Sequence, residues 1–283
     1  MSWQLLIALS VITNSISVLL QRLILKSGKV TPGAFSVFMG LASGMLLALV
    51  AAVQGKLNFV GLSESWPNII VTTLTYSIGA MLTNTALQKT EASKFTVLFA
   101  TRGLITIVIA MVLLNEPVSW LRALGALLIF LGVAVTSWQS EKFQLQQGDW
   151  LTLIAAFIFG VANVNDRFAL QHMQLYPYLI LAYALPALVI AVARPKSISE
   201  IKVIFVPKQL RSILLLTVFW LGSGLTFFGA LQIAPNTAQV AAINLTSVVL
   251  IVGLSFIFLK ESSHWQKKLL GAVITLAGLW LLG

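Results

Sequence analysis

Arg102, in the run FATRGLITIV, is the residue whose chemistry most needs a reason. It lies nine residues after Ser93 in an apolar stretch, about 14 Å along a helix rising 1.5 Å per residue. That depth is mid-membrane if the stretch spans a bilayer. An arginine there costs from roughly 3 to over 10 kcal/mol, so it must face a cavity or a buried partner. Phe95, Phe99, Arg102 and Thr106 recur at helical spacing and form one face. Two chemistries fit. The guanidinium fork can bind a carboxylate or another anion. Alternatively it pairs with Asp166 or with backbone carbonyls and serves as structural glue.

A second polar cluster sits in VANVNDRFAL, residues 161–170. Asn163, Asp166 and Arg167 share a helical face at i, i+3 and i+4 spacing. Asp166 lies seventeen residues after Asp149, about 25 Å along the helix, near the far interface. Arg167 reads as an anchor that reaches headgroups from a helix C-terminus. Asp166 is a gate or counter-ion that could take an ammonium or a proton, and Asn163 is a deeper cavity candidate. Asn14 and Asn244 fall at mid-depth in the first and ninth apolar segments. Each either lines a cavity or makes an interhelical hydrogen bond. Tyr76 and Trp220 sit deeper than a headgroup belt requires, and either wall a cavity or fill the core.

The elements that hold these residues follow from composition. The chain has 283 residues, 58% hydrophobic and only 9% charged, with a mean hydropathy of +0.95. Soluble domains carry about 25% charged residues. The shortfall marks a polytopic membrane protein. A net charge of +10 would suggest nucleic acid in a soluble chain. Here the bases lie between apolar spans and read as topology signals and lipid contacts. With no cysteine, disulfides and thiolate chemistry are excluded. The N-terminus, MSWQLLIALS, lacks a basic region and a cleavage site, and reads as a retained first span.

Apolar segments fall at 3–24, 33–53, 66–88, 93–114, 119–138, 149–171, 176–193, 211–232, 237–259 and 266–283. Each is near the roughly 20 residues that a transmembrane helix needs. Pro186 reads as the clearest mid-span break. The expected fold is all-α, with ten transmembrane helices.

The halves repeat. Residues 115–132, NEPVSWLRALGALLIFLG, resemble residues 260–278, KESSHWQKKLLGAVITLAG. Glu116 matches Glu261 and Trp120 matches Trp265, each 145 positions on. Arg22 pairs with Arg167 and Pro32 with Pro177 at the same offset. Ala86-Leu87-Gln88 matches Ala230-Leu231-Gln232. The expected units are 1–140 and 141–283, five helices each. Five is odd, so the second copy enters from the opposite face. One face collects Arg22, Lys26, Lys29, Lys89 and Lys94 from the first half, Lys142 from the link that follows it, and most of the second half's other bases. The other holds Lys56, Arg122 and Arg167. Equivalent loops thus differ in charge, as the positive-inside rule demands of an inverted repeat around a central cavity. By that rule the basic face is cytoplasmic and both termini lie outside.

These features resemble the EamA-type, ten-helix branch of the drug/metabolite transporter superfamily. The carrying residues are Glu116, Glu261 and the two Gly-x6-Gly helices, Gly125/Gly132 and Gly271/Gly278. The resemblance covers nearly the whole chain. It implies that helices 1–4 and 6–9 surround the cavity while 5 and 10 support it. It also implies export or exchange of small metabolites, and termini in the cytoplasm, opposite to the charge count. Glu116 and Glu261, at helix ends, read as interfacial structure.

The functional expectation is a secondary transporter or facilitator of small polar metabolites, amino acids or related carboxylate-bearing compounds, by alternating access. Its substrate contacts would be Arg102, Asn14, Tyr76, Asn163, Asp166, Trp220 and Asn244. The alternatives are efflux of lipophilic cations, and a non-transport membrane enzyme or assembly partner. The eight acids are scattered, and His172 and His264 have no HxxxH or HExxH spacing. No nucleotide motif or nucleophile elbow appears. The expected partners are a small-molecule substrate and the lipid bilayer, without nucleic acid, cofactor or metal. A monomer in a bacterial or archaeal inner membrane is the expected form.

Overall fold

Ten apolar segments become a helical bundle because lipid leaves the backbone no other partner than itself. The computed structural model describes residues 2–114, 120–139, 142–143, 145–234, 240, 243–244, 246–261 and 263–282. In the first half the helices are α1 (Trp3–Lys26), α2 (Pro32–Val53), α3 (Leu62–Lys89), α4 (Ala92–Phe99), α5 (Thr101–Leu114) and α6 (Trp120–Ser137). In the second half they are α7 (Gln147–His172), α8 (Leu175–Ala193), α9 (Lys196–Glu200), α10 (Pro207–Ile233), α11 (Ser247–Leu259) and α12 (Trp265–Leu282). Two short strands, β1 (Trp138–Gln139) and β2 (Lys142–Phe143), pair antiparallel in the link between halves.

Local chemistry sets the helix starts. The Ser2 hydroxyl accepts from Leu5 N at 3.4 Å and begins α1. Thr31 accepts from Ala34 N at 3.3 Å, with Pro32 in the first turn of α2. Among the described residues five helices, α1, α2, α7, α8 and α10, are individually long and apolar enough to cross a membrane. Their outward apolar side chains, such as Leu49, Phe157 and Val218, are exposed and suit lipid.

The packing is two-fold in pattern. The most extensive helix pairs are α6–α12, α3–α7, α1–α10 and α2–α8. Exchanging the two halves maps α3–α7 onto α10–α1 and leaves the other two pairs unchanged. The fold is therefore two inverted five-helix repeats around a central cavity. α6 and α12 meet through their glycines. A Cβ on Gly132 would lie 2.6 Å from Gly271 O, and one on Gly278 would lie 2.5 Å from Gly125 O. Packing, not chemistry, fills those positions.

Three expectations need correction. The fourth segment is not one helix: Ala100 interrupts it between α4 and α5. The ninth segment turns at Thr246, at nearly the equivalent place, before α11 begins. Pro186, in contrast, lies inside an unbroken α8. Neither break carries a proline or glycine, so no local signal marked them. The basic link 194–210 is also folded. It forms α9 and a 3-10 turn, Ile201–Phe205, which buries Ile204 completely.

Three bases assigned to a charged face are instead interior. Lys94 pairs with Asp149 at 2.7 Å, with both side chains buried. Lys268 pairs with Glu91, and Arg22 with Glu261 at 3.4 Å. Counting signs along a sequence does not separate a loop lysine from one turned inward.

Candidate functional site

The bundle holds a half-open cavity of about 220 Å³. Its wall comes from α1, α2, α3, α5, α7, α8 and α10, together with Asn244. Among the described residues α6 and α12 contribute nothing to it. The volume is below the roughly 300–1,000 Å³ typical of pockets for drug-sized ligands. It suits a small metabolite.

Six of the seven candidates from the sequence face this space: Arg102, Asn14, Tyr76, Asn163, Trp220 and Asn244. Arg102 is held on α5, just past the break at Ala100. Its guanidinium lies 4.6 Å from the Phe99 ring centre. Among the described residues no carboxylate or carbonyl bonds that guanidinium, so the expected alternative pairing with Asp166 is not formed. Thr106, one turn on, donates to Arg102 O and Gly160 O at 2.9 and 3.1 Å. Asn163 on α7 donates to Thr106 Oγ1 at 3.3 Å, which places an amide beside the arginine.

A second polar group also lines the cavity. Asn14 donates to Ser247 Oγ, and Ser10 donates to Asn244 Oδ1, each at 3.4 Å. These bonds join α1 to the ninth segment at its turn. The rest of the wall mixes aromatic rings with small and aliphatic side chains such as Met39, Ala80, Pro186 and Ile190. Tyr76 and Phe159 rings are 5.4 Å apart, and Tyr183 and Trp220 are 6.5 Å apart. Gly224 makes room here, because a Cβ would press on the Tyr183 hydroxyl.

Asp166 is placed differently. It is 0% exposed and does not line the cavity. Its Oδ2 accepts from Tyr76 Oη at 2.7 Å, and its Oδ1 accepts from Tyr178 Oη. It therefore ties α7 to α3 and α8 from behind the Tyr76 wall. Arg167 is also not a headgroup anchor. Its guanidinium donates to Leu231 O and Ala234 O at the end of α10. Those carbonyls have no donor within their helix, which is the pull that draws the arginine inward.

At the other end of the cavity Gln21 donates to Asn84 Oδ1, and Asn84 donates to Ser36 Oγ at 2.7 Å. This chain ties α1, α3 and α2. Gln21 is the repeat equivalent of Asp166, so one position cross-links helices at both ends. The sequence reading missed Gln21, Asn84, Ser36 and Tyr183 as cavity residues. Their polar character inside apolar spans was the available signal. Glu261 is interfacial in position but buried at 5%, and accepts from Ala92 N, Ser93 N and Ser93 Oγ. Glu116 lies outside the described residues. His172 sits 3.4 Å from Glu64 on an exposed surface.

A cavity walled by both halves raises the question of kin. The EamA-like transporter family matches residues 1–138 and, a second time, residues 146–283. The chain belongs to the EamA-like transporter family. As a member it is an integral membrane protein of a transporter family. A solved structure described only as "Crystal structure of protein" is similar to this EamA-like chain, with 14% identity. The alignment covers 97% of this chain and 96% of that one, with a TM-score of 0.68. At that identity the likeness concerns the fold alone. No curated protein matches the chain.

Proposed function

We propose that this EamA-like protein is a secondary transporter or facilitator/exporter of small polar metabolites, amino acids or related carboxylate-bearing compounds. The carrying observation is Arg102: a cavity-facing guanidinium with no bonded acceptor among the described residues. Its fork of donors fits a carboxylate. Asn163, Asn14 and Asn244 supply polar contacts. Tyr76 and Trp220 wall the substrate, and Asp166 acts through Tyr76 without touching it. Alternating access is supported by the helix interruptions at Ala100 and Thr246, and by polar cross-links at both cavity ends. A monomer in a bacterial or archaeal inner membrane is sufficient for this mechanism.

The aromatic rings in the wall favour a second reading, efflux of lipophilic cations. That reading calls for a cavity carboxylate, whereas the charge lining this cavity among the described residues is positive. The deciding experiment is uptake of amino acids and organic acids into reconstituted vesicles, comparing wild type with Arg102→Ala. Equal uptake by both proteins overturns the carboxylate assignment.

A further inference from the structure

We propose that Asp166 is a proton-binding site, and that its proton travels with a carboxylate-bearing substrate held at Arg102. The second half of this statement rests on the function proposed above. The first half stands on geometry alone.

Asp166 lies in a membrane-spanning helix and is 0% exposed. A buried carboxylate is costly unless it is paired and hydrogen-bonded. Among the described residues no cation bonds it. Arg167, its neighbour in sequence, is turned away onto the carbonyls that end α10. What Asp166 has instead is two phenols, Tyr76 from α3 and Tyr178 from α8. The other groups around this site are few. Tyr183 on α8 and Arg102 on α5 lie within electrostatic reach of Tyr76. From α10, Phe228 packs on Tyr178 and brings no charge. The His172–Glu64 pair sits at the exposed ends of α7 and α3.

Two phenols make a site that is satisfied with or without the proton. In the ionised state both tyrosines donate to the carboxylate. In the neutral state the new acid hydrogen donates to one phenol oxygen, and that tyrosine turns its own hydrogen elsewhere. Both tyrosines have somewhere to turn. Tyr178 Oη is 3.4 Å from Thr72 Oγ1, where either oxygen can donate. Tyr76 faces the cavity. The proton can thus come and go without leaving a buried polar atom unpaired, which is the usual obstacle to such a change.

Tyr76 is also the way in. A hydronium ion in the cavity gives a proton to Tyr76 Oη as Tyr76 passes its own hydrogen to Asp166 Oδ2. Two O–H bonds form, at Tyr76 Oη and Asp166 Oδ2, and two break, at the hydronium and at the tyrosine. The phenol is regenerated, the carboxylate becomes a neutral acid, and the hydronium is left as water. Tyr76 now points its hydrogen into the cavity. Both changes favour an anion there. A negative charge behind the wall is removed, and a donor is added on the wall. Binding linkage is reciprocal, so a carboxylate at Arg102 must in turn favour the proton at Asp166.

The test has two arms, both on the full-length protein. Infrared difference titration without substrate reads the carboxylic C=O stretch directly. Wild type is expected to show a protonated-carboxyl band that disappears on alkalinisation and is absent in Asp166→Asn. Tyr178→Phe should move its midpoint. No Asp166-dependent band, or one unchanged at every pH, overturns the proton site. The second arm measures accumulation of the amino-acid and organic-acid panel in vesicles with the membrane potential clamped at zero. One proton per substrate gives about tenfold accumulation per unit of pH gradient. Asp166→Asn, which keeps the acceptor but not the titration, should equilibrate substrate without accumulating it. Gradient-driven accumulation by Asp166→Asn overturns the coupling while leaving the Arg102 reading intact. Failure of any carboxylate to move in wild type overturns the coupling together with the proposed function, and the infrared arm alone then decides the proton site.

Discussion

Arg22 and Arg167, 145 positions apart, make the same contact in the two halves of the protein. Each guanidinium lies on the backbone carbonyls that end the third long helix of its repeat. For Arg22 these are Leu87 O and Gln88 O; for Arg167 they are Leu231 O and Ala234 O. A cation at a helix C-terminus meets both unpaired carbonyls and the negative end of the macrodipole. The duplication has therefore preserved an interaction, not merely a hydropathy pattern.

Arg22 makes a further contact. Its Nε also meets Glu261, whose carboxylate caps the first turn of α4 through Ala92 N and Ser93 N. Both side chains are buried, at 7% and 2% exposure. Removing one partner of a buried pair typically costs about 3–5 kcal/mol, because the other charge is stranded. Glu261→Ala should therefore lower unfolding stability in detergent by that amount, and Arg22→Ala similarly. The double variant should lose less than the sum of the two. A loss under about 1 kcal/mol would place the pair with ordinary surface ion pairs.

The bundle was legible because lipid enforces it. Runs of about 20 apolar residues and a fixed repeat offset are conditions of spanning a membrane, so they are written plainly. Arg102 was legible for the same reason, since a deep charge must have a use. Pairings between distant residues were not. Nothing in the sequence says that Lys94 meets Asp149 rather than a lipid headgroup. Nothing marks Tyr178 as the second ligand of Asp166, because a tyrosine near a span end also fits an interfacial belt. The interruption at Ala100 was silent too, because alanine is the best helix former. The clues to the Gln21–Asn84 link were two polar side chains inside apolar spans and the repeat register that sets Gln21 opposite Asp166.

The α6–α12 contact offers a test that separates stability from transport. A Cβ at Gly278 would meet Gly125 O at 2.5 Å and Ile129 N at 2.8 Å. Backbone does not yield as a flexible side chain does, so the helices must part. Gly278→Ala should cost about 1–3 kcal/mol, as other overpacked sites do, read as a lower melting temperature in detergent. Transport per folded molecule should stay at the wild-type rate, because neither helix lines the cavity among the described residues.

Gly224 gives the opposite pattern. It lies in the cavity wall against Tyr183. Gly224→Ala adds one methyl to a space of about 220 Å³ and displaces the tyrosine hydroxyl. The expected result is selective. Uptake of the bulkiest transported substrate should fall more than that of the smallest, since a methylene in a pocket is worth roughly 1–3 kcal/mol of discrimination. A uniform fall across substrate sizes would point to a lost helix motion instead.

Arg102 decides between transport and structure by the sign of a stability change. If the guanidinium were glue, Arg102→Ala would unpair buried acceptors and destabilise the fold. With no bonded acceptor among the described residues, its removal instead relieves a costly intramembrane cation. Arg102→Ala should therefore melt at or above the wild-type temperature. Its uptake of the transported carboxylate should fall about 10- to 100-fold, in line with about 1.5–3 kcal/mol for hydrogen bonds to a charged group. Arg102→Lys keeps the charge but loses the planar fork. It should recover part of the uptake, with the remainder appearing as weaker apparent affinity. A lower melting temperature with unchanged uptake in Arg102→Ala would return this residue to structure and leave the cavity without its anchor for an anion.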